Sequence, residues 1–270
     1  MKLSISNIAW NMQEDERMYA MMVKYGYTGL EIAPTRIFET VPYERTSEDI
    51  KRWQIGLAEQ YRFEIPSMQS IWFGRSEKLF GEASERQRLL DYTKKAVDFA
   101  EIIACKNLVF GCPKNRIFPE GLEKELWKEG VAFFKNIGTY AWEHHTSIGM
   151  EANPVIYGTN YINTTKEAIE LIKEVASEGF LLNLDIGTML ANKEGVEVLE
   201  ENAELINHVH ISEPFLKPIV IDRERRQFHN ELAAFLREHA YQGYVSIEMG
   251  KIEDLAVIEE RLGYGKEIFG

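Results

Sequence analysis

Polar and hydrophobic residues alternate in step along Asn207-His208-Val209-His210-Ile211-Ser212-Glu213-Pro214. A period of two belongs to a strand, so His208 and His210 are expected on one face and Val209 and Ile211 on the other. Glu213-Pro214 then ends the strand. Three further segments have strand character and finish in a carboxylate: Gly149-Met150-Glu151, Leu181-Leu182-Asn183-Leu184-Asp185 and Val245-Ser246-Ile247-Glu248.

Extended over the whole chain, the pattern predicts strands over about 3–10, 27–32, 63–70, 107–110, 147–151, 181–185, 206–211 and 244–248. Between them it predicts helices over about 15–25, 47–61, 83–104, 123–144, 164–177, 193–203, 228–240 and 253–269. Local signals agree with these boundaries. Gly26 and Gly179 stop helices, while Ser47-Glu48-Asp49-Ile50 and Thr164-Thr165-Lys166-Glu167 start them. Pro66, inside the third strand, cannot donate to a ladder and counts against that strand's full length.

Eight strands alternating with eight helices imply a parallel sheet with crossover helices. Within 270 residues, that count favours the α/β class and a closed (β/α)8 TIM barrel, formed as a single domain over 1–270, above an open sheet. A Gly-x-Gly-x-x-Gly loop after the first strand would argue for the open form, and the sequence has none there.

Composition then narrows the partners. The chain has 45% apolar residues, enough for a core, yet no uncharged apolar run of about 18 residues, so no membrane span is expected. Met1-Lys2-Leu3-Ser4-Ile5-Ser6-Asn7 lacks a secretory h-region and reads as the first strand of a cytoplasmic protein. A net charge of -12 repels phosphate backbones, which argues against nucleic acid. Cys105 and Cys112 are too few for a disulfide scaffold or a thiolate metal site. Homo-oligomer formation is left open.

In a barrel the carboxyl ends of the strands share one mouth. Glu151, Asp185, His210 and Glu248 are the terminal inward candidates of strands five to eight. Three carboxylates crowded there repel unless they are protonated or bridged by a cation. One divalent metal ion resolves the crowding, and three oxygens with one imidazole suit Mn, Mg, Co or Zn. Each residue also has a plainer reading. Asp185 alone could cap a turn, and Glu248 alone could end a strand in an ion pair. His208, one layer deeper, reads as a core histidine. His144, His145 and His239 read as surface residues. Trp10 and Trp72 either wall a pocket or pack in the core. Lys114, Arg116 and Lys217 either grip a phosphate or carboxylate or are simply solvated. Cys112 reads as a free thiol.

With these strand ends, Ser4-Ile5-Ser6-Asn7, Gly29-Leu30-Glu31-Ile32 and Leu108-Val109-Phe110-Gly111 resemble the xylose isomerase-like TIM-barrel superfamily, which includes ketose 3-epimerases, hydroxypyruvate isomerase, inosose dehydratase and endonuclease IV. The resemblance implies one ion held by Glu151, Asp185, His210 and Glu248. It makes Glu151 and Glu248 the pair that moves a proton beside a carbonyl, through an enediolate that the ion stabilises. It also implies a sugar or sugar-phosphate substrate, with Trp10, Gln69, Trp72, Arg116, Tyr157, Thr188 and Lys217 as candidates to bind it.

Three positions depart from the ketose 3-epimerases. Thr188 stands where related enzymes carry a histidine in Asp-x-x-His, Tyr157 where they carry a second glutamate, and Leu216, beside Lys217, where they carry an arginine. The implied activity is therefore a metal-dependent isomerase or epimerase with a substrate shell of its own. A dehydratase of a keto-cyclitol on the same scaffold is the main alternative. An endonuclease IV-like hydrolase lacks its histidines here, and a non-catalytic sugar-binding protein is the remaining reading.

Overall fold

The period-two segments of the sequence join one eight-stranded sheet in the computed structural model, which describes residues 1–270. In chain order the elements are β1 (Lys2–Ser6), α1 (Asp15–Tyr25), β2 (Gly29–Glu31), α2 (Pro34–Ile37), α3 (Ser47–Tyr61), β3 (Ser67–Met68), α4 (Ala83–Ile102), β4 (Asn107–Phe110) and α5 (Glu123–Glu143). They continue with β5 (Ile148–Met150), α6 (Thr165–Val175), β6 (Phe180–Asp185), α7 (Ile186–Asn192), β7 (Ile206–Ile211), α8 (Arg223–Glu238), β8 (Tyr244–Ile247) and α9 (Leu255–Phe269).

All the ladders are parallel and run in the order β2-β1-β8-β7-β6-β5-β4-β3. Two isolated bridges, Gly29↔Glu64 and Ile32↔Met68, bring β2 against the β3 region and nearly close a (β/α)8 barrel. The seam is thin because Pro66 has no N–H to give a ladder. The third strand accordingly shrinks from the predicted 63–70 to Ser67–Met68.

Alternation sorts the strand residues into two surroundings. Leu3, Ile5, Leu30, Val209, Ile211, Val245 and Ile247 are buried in the apolar core that includes helix residues such as Ala100, Phe134, Ile172 and Leu262. Each such aliphatic side chain contributes roughly 1.5–3 kcal/mol on burial. The alternate positions, Ser4, Ser6, Glu31, Asn107, Asn183, His208, His210 and Ser246, are equally buried but polar. Buried polar groups require partners, and Asn107 Nδ2 donates to both Ser67 Oγ and Asn183 Oδ1, at 3.0 and 3.1 Å. The barrel therefore has a polar lining that leads up to its mouth.

Helix boundaries depart from the predictions where side chains cap early. Asp185 accepts from Thr188 N at 2.6 Å, so α7 starts directly at the end of β6. It stops at Asn192, where Lys193 turns left-handed at φ 57°. The helix predicted over 193–203 is absent, replaced by the short 3-10 turns Val196–Leu199 and Ala203–Leu205. Asp222 accepts from Arg225 N at 2.8 Å and starts α8 at Arg223, five residues ahead of the predicted 228. No helix is long and apolar enough to cross a membrane.

Candidate active site

The carboxyl ends of β5, β6, β7 and β8 deliver Glu151, Asp185, His210 and Glu248 to one point. One ligand-type atom from each lies within 4.8 Å of all the others. His210 is fully buried, Glu151 and Glu248 keep 9% and 7% of their surface, and Asp185 is half-buried. His210 Nδ1 sits 3.1 Å from Glu151 Oε1 and 3.3 Å from Glu248 Oε2.

Neighbouring polar groups orient two of the carboxylates. Asn183 Nδ2 donates to Glu151 Oε1 at 2.9 Å, and Asn153 Nδ2 to Glu151 Oε2 at 3.2 Å. Ser212 Oγ donates to Asp185 Oδ2, opposite the cap bond from Thr188. Gly111 makes room for this arrangement, since a Cβ there would stand 2.7 Å from Glu151 Oε2.

Electrostatics follow from the crowding. Burial, reinforced by the charge on Glu151, pushes Asp185 up to about 6. Burial also pushes Glu248 up to about 7, although His210 pulls the other way. For His210, burial opposes protonation, but the charges of Glu31 and Glu248 outweigh it and hold the imidazole well above its ordinary value. These shifts describe a site short of positive charge. No lysine or arginine lines the cavity above it. The donor set of three carboxylates and one imidazole fits a single hard or borderline divalent cation.

That cavity, about 190 Å3, is lined by Gln69, Cys112, Asn153, Tyr157, Ser212 and Leu216 together with Glu151, Asp185 and Glu248. Of the substrate-binding candidates, Gln69 and Tyr157 line this cavity. Five other substrate-binding candidates do not. Trp10 is buried, donates through Nε1 to Asp15 at 2.7 Å and packs on Tyr19. Trp72 is buried against Phe110 and Phe133 with Nε1 on Thr93 Oγ1 at 2.8 Å, so it is a core residue and not a pocket wall. Thr188 is buried behind Asp185, its hydroxyl donating to Ala152 O at 2.8 Å. Lys217 is exposed beside a separate open cleft of about 1000 Å3 next to α7 and α8, which holds none of the four clustered residues.

Arg116 is the largest correction. It is fully buried, and Nη2 donates to Glu151 O and Asn153 Oδ1, both at 2.8 Å. Burial lowers its pKa to about 10. The guanidinium is a strut beneath the site, with no exposed face for an anion. Cys112 is a free thiol at the mouth, pushed up to about 12 by burial, which makes it a poor nucleophile.

Several residues at the site went unassigned in the sequence. Asn183 and His208 lie two positions before Asp185 and His210, so alternation places them on the same face one layer deeper. His208 is buried in the core, with its Nε2 3.0 Å from Glu31 Oε2. Burial lowers its pKa. Glu31 itself was detectable as a lone charge in an apolar strand. Ser212 and Asn153 carried no signal of their own.

A family model described as a xylose isomerase-like TIM barrel matches residues 20–268. Among solved structures, the chain is similar to a D-psicose 3-epimerase determined in the presence of D-fructose, at 15% identity and TM-score 0.80, covering 100% of both chains. It is similar to the 3-keto-D-glucoside 4-epimerase YcjR from E. coli at 19% identity and TM-score 0.74, covering 99% of each. It is also similar to an IolI protein with a bound zinc atom, at 15% identity and TM-score 0.71, covering 99% of this chain and 97% of that one. At these identities the likeness is one of fold. No curated protein matches the chain in sequence.

Proposed function

Because the chain belongs to the xylose isomerase-like TIM-barrel family, we propose that it is a divalent-metal-dependent isomerase or epimerase of a neutral sugar, working through an enediolate. The observation that carries this reading is the convergence of Glu151, Asp185, His210 and Glu248 within 4.8 Å at the end of a polar barrel. These four side chains would hold the ion, with Mn, Mg, Co or Zn suited to the donor set. When bound, it supplies Lewis-acid stabilisation of negative charge developing on the substrate's oxygens.

The chain's own residues supply the proton chemistry. Glu151 and Glu248 come from β5 and β8, on either side of β6 and β7. One takes the proton from the carbon beside the carbonyl, and the other returns one, on the opposite face in an epimerase. Gln69, Asn153, Tyr157 and Ser212 offer hydrogen bonds to hydroxyl groups from the cavity wall.

Charge supports the choice of a neutral substrate. A phosphate would enter a cavity lined by Glu151, Asp185, Glu213 and Glu248 and by no cationic side chain. Arg225 lies against Glu213 at 2.7 Å and is already paired. The test is to incubate the metal-loaded protein with ketoses and their phosphates in D2O and follow substrate by NMR. Deuterium entering the neutral sugars without loss of water is expected. Exchange confined to phosphorylated sugars would overturn the neutral-substrate reading, and a dehydrated product would replace epimerisation with the lyase alternative.

A further inference from the structure

Glu31 is fully buried on β2, three strands away from β7 in the ladder, and its carboxylate crosses the barrel interior to the two histidines of β7. Glu31 Oε2 stands 2.8 Å from His210 Nε2. Its other oxygen, Oε1, accepts from Gln69 Nε2 at 3.0 Å, and Gln69 also donates to Ser6 Oγ. The carboxylate is thereby held at both oxygens.

An ionised carboxylate only accepts hydrogen bonds, so the imidazole nitrogen that faces it must carry a hydrogen. The two nitrogens of His210 face different carboxylates. Nε2 points down to Glu31, while Nδ1 points up to Glu151 and Glu248. We propose that Glu31 is a positioning residue that holds the Nε2–H edge of His210, so that Nδ1, on the side of Glu151 and Glu248, is the nitrogen an incoming cation would take in place of a proton. His210 donates from one edge and ligates from the other, with its ring plane set by a residue 179 positions away.

This arrangement also gives Gln69 two roles. Its side chain lines the cavity, and its amide locks the carboxylate that locks His210. A substrate group that contacts Gln69 would therefore be sensed by a residue already engaged with Glu31. His208 Nε2 lies 3.0 Å from the same Glu31 oxygen.

The inference rests on the proposed metal site, and the experiment separates the two. The full-length protein labelled with 15N at histidine is compared, metal-free and with added Zn, as wild type, Glu31→Gln, Glu31→Ala and His208→Gln. In the wild type with Zn, His210 is expected to show a solvent-protected Nε2 proton and a ligated Nδ1. Glu31→Ala is expected to lose that protection and to weaken Zn affinity by roughly 10–100-fold. Glu31→Gln, which keeps the shape, shows whether the charge is needed. His208→Gln should leave the Nε2 proton of His210 in place.

A Zn-loaded wild type with the proton on Nδ1 would overturn the proposal. So would a Glu31→Ala variant whose His210 signals and Zn affinity match the wild type. Failure of the wild type to bind Zn, Mn, Co or Mg by calorimetry would instead sink the metal reading, and loss of the protected Nε2 proton in metal-free Glu31→Ala relative to metal-free wild type would still decide the clamp.

Discussion

Arg116 Nη2 donates to the backbone oxygen of Glu151 at 2.8 Å, fixing the carboxyl end of β5 from underneath. Arg116→Met removes that donor and the one to Asn153 Oδ1, leaving two buried acceptors unsatisfied. Each costs about 1–3 kcal/mol, so a fall of several degrees in Tm is expected in a thermal melt. Turnover should fall for every substrate alike. Unchanged Tm combined with selective loss of phosphorylated ligands would return Arg116 to an anion-binding role.

The proton-transfer roles predict a particular kinetic pattern. Glu151→Gln and Glu248→Gln keep the shape of the cavity but cannot accept a proton, and each is expected to lower turnover roughly 10²–10⁴-fold. Sugar binding, measured by calorimetry on the metal-loaded variants, should persist more than turnover does. Solvent deuterium exchange at near wild-type rate in either variant would remove that glutamate from the chemistry.

Metal removal and pH are linked with a definite sign. In the metal-free protein, burial raises Glu248 to about 7 and Asp185 to about 6, both above the ordinary carboxylate range. Groups raised on folding contribute stability that is fully present below their unfolded pKa and lost as pH rises through the folded one. His210, also raised against its burial by Glu31 and Glu248, acts in the same direction. The EDTA-treated protein is therefore expected to melt lower at about pH 8 than at about pH 6. Because a cation competes with these protons, added Mn should raise Tm more at the higher pH. His229, lowered to about 4, and His208, also lowered by burial, work the opposite way, but their contribution stops growing above the ordinary histidine value of about 6.5, while those of Glu248 and His210 go on falling. Equal metal stabilisation at both pH values would contradict the linkage.

The mouth loop after β7 is held in an unusual conformation. Phe215 and Leu216 both have positive φ, 63° and 53°, a costly region for side chains of this size. Tyr157 Oη accepts from Phe215 N at 2.7 Å, and Leu216 O accepts from Gly250 N at 2.7 Å. Tyr157→Phe removes the first tether, so KM is expected to rise several-fold while stability changes by about 1 kcal/mol or less. An identical KM would mean that this loop does not shape the cavity.

The origin of the site divides between local pattern and global geometry. Alternation in Asn183-Leu184-Asp185 and His208-Val209-His210 is a local property of extended backbone, and it was enough to put polar residues on one face and apolar ones on the other. The alternation of strands and helices likewise implied a parallel barrel, and with it a shared mouth for the four strand ends. Local pattern could not say which layers meet. β6 and β7 shift register between Leu182 and Asn183, which aligns Asn183 with His208 and Asp185 with His210. The reach of Glu31 across the barrel to His210 and the sealing of Arg116 beneath Glu151 likewise join residues that are distant in sequence and meet only in the closed sheet. Side-chain direction is encoded within a few residues, whereas depth along the barrel axis exists only once the strands have paired.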